Sequence, residues 1–121
     1  MGEVVYFEQG ASDWLGIPDD WAGKAHPGEP GVRYKLLTGD RAGVPGIQLV
    51  EFEPGHHEKA HSHPESEVLY VLDGEMKLGE RTLRAGAGAF IEKDTVYGPL
   101  DTAAGARFLR VGLGGLGPVR D

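Results

Sequence analysis

Cysteine is absent from this 121-residue chain. That one absence excludes disulfides, thiolate metal sites, iron–sulfur clusters and cysteine nucleophiles together. No apolar run is long enough to span a bilayer, and Met1-Gly2-Glu3-Val4 lacks the basic-then-apolar pattern of a signal peptide. With neither disulfides nor an export signal, a cytoplasmic location is expected. Positive charge is scarce: 12 Lys+Arg stand against 19 Asp+Glu, for a net charge of −7. A chain this acidic repels nucleic acid and anionic lipid, and no local basic cluster escapes that effect, so neither partner is expected. Long helical patterns are missing as well, which argues against α/β folds. There is no internal repeat, nucleophile elbow, phosphate-cradling loop or dinucleotide fingerprint. The glycine run from Gly112 to Gly117 has no helix after it.

What remains is enough for one domain. Hydrophobic residues make up 40% of the chain, and two independent cores would each be too small. Glycine (20) and proline (8) are abundant; both break helix interiors and punctuate short strands. Strands are expected at 32–37, 47–52, 68–72, 75–78, 82–84, 89–91 and 107–111, with turn residues at nearly every junction. Asp73-Gly74 predicts a hairpin between the third and fourth of these. Val4-Val5-Tyr6-Phe7 reads as a short strand that pairs with a sheet edge, in its own subunit or another's. Trp14 and Trp21 read as a hydrophobic lid or subunit contact, and a short helical turn is expected around 19–22. The pattern is that of an all-β sandwich or barrel. Its expected organisation is a packing segment over 1–31, a barrel over 32–112 and a Gly-rich tail over 113–121.

Four of the five histidines fall in Gly55-His56-His57-Glu58-Lys59-Ala60-His61-Ser62-His63-Pro64-Glu65-Ser66-Glu67. His61 and His63, two apart, face the same way in an extended chain, and Glu67 keeps that parity at the start of the strongest strand. Two imidazoles and one carboxylate suit non-haem iron, manganese, nickel, cobalt or zinc. Three protein ligands leave the metal open positions for chemistry. His56 and His57 have opposite parity, so at most one faces inward with His61; both read as rim or surface residues. Tyr70, opposite in parity to Glu67, should face away. His26 reads as a solvated loop residue.

The wider spacing is more specific. Gly55, five residues, His61-x-His63, three residues, Glu67, six residues, Gly74 meets the first motif of the cupin superfamily at every position, and the sequence resembles a small single-domain cupin from about Val44 to Val111. The resemblance implies a jelly-roll β-barrel with a metal inside. The second cupin motif is partly met. Gly79 and Gly86 fit, but Glu92 stands where Pro is usual, Asp94 where Gly is usual, and Tyr97 where the last His ligand is usual. Three roles stay open for Tyr97. It ligates as a phenolate, it hydrogen-bonds a metal-bound water, or the site holds metal weakly and a substrate takes over. It also reads as an ordinary barrel residue with its hydroxyl satisfied.

The function expected from this is metal-dependent catalysis on a small organic molecule, dioxygenase-like with iron. His61, His63 and Glu67 hold the metal and Tyr97 positions water or substrate. Glu92 is a general base if burial raises its pKa, and Phe90 and Ile91 help to exclude solvent. The alternatives are a redox-neutral isomerase, cyclase or lyase, and a non-catalytic sugar- or small-molecule-binding cupin. A homodimer is expected.

Overall fold

Residue parity builds the fold. In the last strand, Ala106, Phe108, Arg110 and Gly112 are buried and alternate with the less buried Arg107, Leu109 and Val111. The period of two is that of a strand with one face inward. The structure is a computed structural model that describes residues 2, 4–11, 14–16, 31–38 and 43–114. Trp21, His26, the expected helical turn and residues 115–121 of the expected tail lie outside the described residues.

Among the described residues nine strands occur in chain order: β1 (Leu15–Gly16), β2 (Val32–Leu36), β3 (Gly46–Phe52), β4 (His57–Glu58), β5 (Glu67–Leu78), β6 (Arg81–Arg84), β7 (Gly88–Ile91), β8 (Leu100–Asp101) and β9 (Ala106–Gly112). All pair antiparallel in the order β1-β2-β3-β9-β5-β8-β4, with β6 and β7 also on β5. The result is the expected all-β, curled sheet of a jelly-roll barrel. The inward rows are Val32 and Tyr34 from β2, Gln48, Val50 and Phe52 from β3, Leu69 and Val71 from β5, and Phe108 from β9. With Met76, Leu83, Ile91, Leu100 and Ala106 they enclose the core.

One strand holds the two layers together. The first half of β5 pairs with β7 and β9, and its second half with β6 and β8. The hairpin expected at Asp73-Gly74 is therefore not formed; the strand runs through it. Gly74 does take a positive φ of 75°, but within the strand, paired with Ala106 just beyond a bulge at Leu72. The register on β9 slips between Val71 and Asp73, and bulges bend a strand and increase its twist.

Two other expectations are corrected. Val4-Val5-Tyr6-Phe7 forms no strand, and Val4 and Tyr6 are exposed. Phe90 points to solvent at 60% exposure, while Ile91 is buried; adjacent residues of a strand face opposite ways. Trp14 packs beneath cations, with the Arg33 guanidinium 4.2 Å and the Lys35 ammonium 5.0 Å from the ring centre. Tyr70 is exposed, as its parity requires.

Candidate metal and active site

Short strands set the site's first half. The β4–β8 pairing places Glu58 inward and His57 outward. His57 stays on the surface, where it hydrogen-bonds Asp101. His56 is buried at 1% exposure, not on the rim. Its ring packs 4.4 Å from that of Phe52. The rule that only one of the two histidines faces inward holds, with His56 as that one.

Backbone pairing then joins the two sequence motifs. The His61 amide donates to the Tyr97 carbonyl at 3.0 Å and the Tyr97 amide returns a bond to the His61 carbonyl at 2.9 Å. Tyr97 thus lies directly across from His61, where a late histidine ligand would stand. The Asp94 amide bonds the His63 carbonyl at 2.8 Å. Asp94 takes φ 61°, the left-handed conformation that glycine enters most easily and Asp tolerates. Glu92 is exposed and does not line the cavity, so burial does not act on it.

The site is a cavity of about 50 Å³ within the barrel. It is lined by the polar groups Gln48, Glu58, His61, His63, Tyr97 and Arg110 and by apolar side chains of β2, β3, β5 and β9. That is room for a few waters or a small ligand. His61, His63 and Glu67 are all buried, and the His61 and His63 ring centres are 5.1 Å apart. The ligand atoms of His63, Glu65 and Glu67 lie within 4.8 Å of one another. His61 is turned instead toward Glu58, with Nε2 3.3 Å from Oε1.

Sequence reasoning missed the charge at the centre. Arg110, from β9, donates from Nε to Glu67 Oε2 at 2.5 Å, from one terminal nitrogen to Glu65 Oε1 at 2.9 Å, and from the other to Gln48 Oε1 at 3.3 Å. The other Glu67 oxygen accepts the Tyr97 hydroxyl. Parity could have found Arg110: it is two residues from Phe108 and so shares the inward face. Glu58 carried a weaker signal, its nearness to the histidine cluster.

Burial raises the Tyr97 phenol pKa well above the usual tyrosine value, and the Glu67 carboxylate adds to it, so the phenol keeps its proton. Burial also lowers the His63 pKa below the ordinary histidine value, and the Arg110 guanidinium adds to that against the pull of Glu67. A folded imidazole that resists protonation leaves the unfolded chain taking up more protons just below the ordinary value of 6.5. Stability is full above that value and falls on acidification through it. Thermal melts between about pH 7.5 and about pH 5 will show that fall, and His63→Gln will flatten it. Curves of equal slope for the two proteins would contradict the assignment.

The donors suit a divalent cation. His63 is in its neutral, ligating form. Its Nδ1 is buried without a hydrogen-bond partner among the described residues and lies 4.0 Å from Glu65 Oε1. The carboxylates of Glu58, Glu65 and Glu67 stand beside these imidazoles as oxygen donors. Nitrogen and oxygen donors with no sulfur select borderline to hard metals.

Comparison with known proteins follows the same line. Residues 48–109 match the family described as Cupin domain, just over half of the chain. No curated protein matches the sequence. Among solved structures, the chain is similar to an acetylacetone dioxygenase from Acinetobacter johnsonii (16% identity, 98% of this chain and 76% of that one, TM-score 0.68). It is also similar to the polyketide cyclase RemF from Streptomyces resistomycificus (19% identity, 100% and 84%, TM-score 0.70). A third is a sugar phosphate isomerase of the cupin superfamily from Silicibacter pomeroyi (25% identity, 88% and 74%, TM-score 0.68).

Proposed function

The chain belongs to the cupin domain family, and on that premise we propose that it is a metal-dependent enzyme acting on a small oxygenated organic molecule inside the barrel. His61, His63 and Glu67 are the proposed metal ligands, the metal being iron, manganese, nickel, cobalt or zinc. The observation that carries the reading is the buried His63 imidazole, whose Nδ1 has no hydrogen-bond partner among the described residues, set among carboxylates. A divalent metal there supplies Lewis acidity and, as iron, reactivity toward dioxygen.

The chain's own residues do the rest. Val50, Phe52, Leu69 and Phe108 give the cavity an apolar wall, and a less polar surrounding strengthens charge interactions beside it. Tyr97 and Arg110 fix the Glu67 carboxylate from its two oxygens. A dioxygenase-like reaction is the first reading. A redox-neutral isomerase, cyclase or lyase is the second, favoured by one observation: the Tyr97 phenol keeps its proton and hydrogen-bonds Glu67, a pair through which a proton can pass between the cavity and the carboxylate. Glu92, exposed and outside the cavity, has no part in either. The proposal also includes a cytoplasmic homodimer, and light scattering at twice the 13.0 kDa chain mass checks the assembly.

Acetylacetone, which names one structural relative, is the first probe. Iron-loaded protein that consumes dioxygen with it supports the first reading. Turnover of a carbonyl substrate under argon with zinc or manganese supports the second, and there Tyr97→Phe will lower the rate roughly 100-fold or more with the metal kept saturating. Ligand binding without turnover of any probe would reduce the protein to a binding module.

A further inference from the structure

The contact between His61 and Glu58 is unusual for two buried groups. His61 Nδ1 lies 2.8 Å from the Lys59 carbonyl oxygen. A carbonyl only accepts, so Nδ1 carries the proton, and in the neutral ring Nε2 bears the lone pair. That lone pair faces Glu58 Oε1 at 3.3 Å, with His61 1% and Glu58 11% exposed at their side chains. Two acceptors facing one another out of water repel unless a positive charge lies between them. A ring whose far nitrogen donates to a backbone carbonyl is also the arrangement that orients a metal-binding histidine. The other Glu58 oxygen is 3.6 Å from His56 Nε2, so the carboxylate is braced by imidazoles on both sides.

Resting on the metal-dependent reading above, we propose that Glu58 is a metal ligand of this cavity and takes the coordination position left without a histidine at Tyr97. Neighbouring ligands at about 2.1 Å from one metal stand roughly 3 Å apart, close to the 3.3 Å between Glu58 Oε1 and His61 Nε2. Tyr97 is poorly placed for that role: its phenol is kept protonated by burial and by the carboxylates of Glu67 and Glu58, and its hydroxyl is spent on Glu67. Glu58 lines the same cavity as His61 and His63. Glu58 sits against imidazoles, whereas Glu65 and Glu67 are held by Arg110.

The test is titration of cobalt(II) alone into the full chain, followed by calorimetry and by the metal's visible absorption spectrum. Glu58→Gln will weaken cobalt binding at least tenfold and change the spectrum, because one oxygen donor is altered. Tyr97→Phe removes only a hydrogen bond to Glu67; it will weaken binding roughly tenfold or more but leave the spectrum unshifted, because no donor atom is lost. Should Glu58→Gln fail to fold by circular dichroism, Glu58→Asp applies the same test, since it keeps the charge and withdraws the oxygen. A Glu58 variant that binds cobalt within tenfold of wild type, or more weakly with the wild-type spectrum, overturns the ligand assignment and leaves the metal-dependent reading intact. Wild-type protein that takes up no cobalt overturns both.

Discussion

Arg110→Met will cost the folded protein about 3–5 kcal/mol, or roughly 10–20 °C in Tm. Its guanidinium pairs with Glu65 and Glu67, with the side chains of all three at least nine-tenths buried. Removing it takes a charge partner from two buried carboxylates, Glu67 keeping the Tyr97 hydroxyl, and breaking a buried pair costs far more than a surface ion pair contributes. Divalent metal at saturating concentration will recover part of the loss in the variant, because a dication can stand in for the missing charge. Chemical denaturation with and without manganese measures both effects. A loss near 1 kcal/mol would mean that water reaches the carboxylates and the cavity is not closed.

Gly74→Ala will cost about 2–5 kcal/mol, for reasons of backbone geometry alone. A Cβ at Gly74 would stand 2.3 Å from the Gly105 carbonyl oxygen, and φ is 75°. This close approach lies beside the bulge at Leu72, where β5 passes from one layer to the other. Gly86 provides the comparison: its φ is 91°, but a Cβ there meets nothing within 4 Å. Gly86→Ala bears the conformational penalty without the clash, about 1–2 kcal/mol. Equal losses at the two sites would show that the close approach to Gly105 adds nothing.

The fold was legible where one periodicity dominates. Strands β2, β3, β6, β7 and β9 fall within a residue of expectation, since each alternates or is bounded by turn residues. Asp73-Gly74 misled because a positive φ serves a strand beside a bulge as well as a turn, and only pairing across the sheet separates the two. β4 and β8 are two-residue strands formed by each other and by β5, with no local pattern to announce them. At the site, spacing located His61, His63, Glu67 and Tyr97, because a motif records which positions face inward. It was silent on Arg110, Glu58 and His56. Their burial follows from the company they keep across strands: Arg110 from Glu67 and Glu65, Glu58 from His61 and His56.

The central claim is that these imidazoles and carboxylates together hold a cation inside the barrel. Elemental analysis of protein purified without added metal, then equilibrated with iron, manganese, nickel, cobalt and zinc and dialysed, tests it most directly. The account predicts about one metal ion per chain for the wild type and none for the His61→Ala/His63→Ala double variant, with circular dichroism of the two unchanged. Wild-type protein that retains no metal under any of these conditions would contradict it.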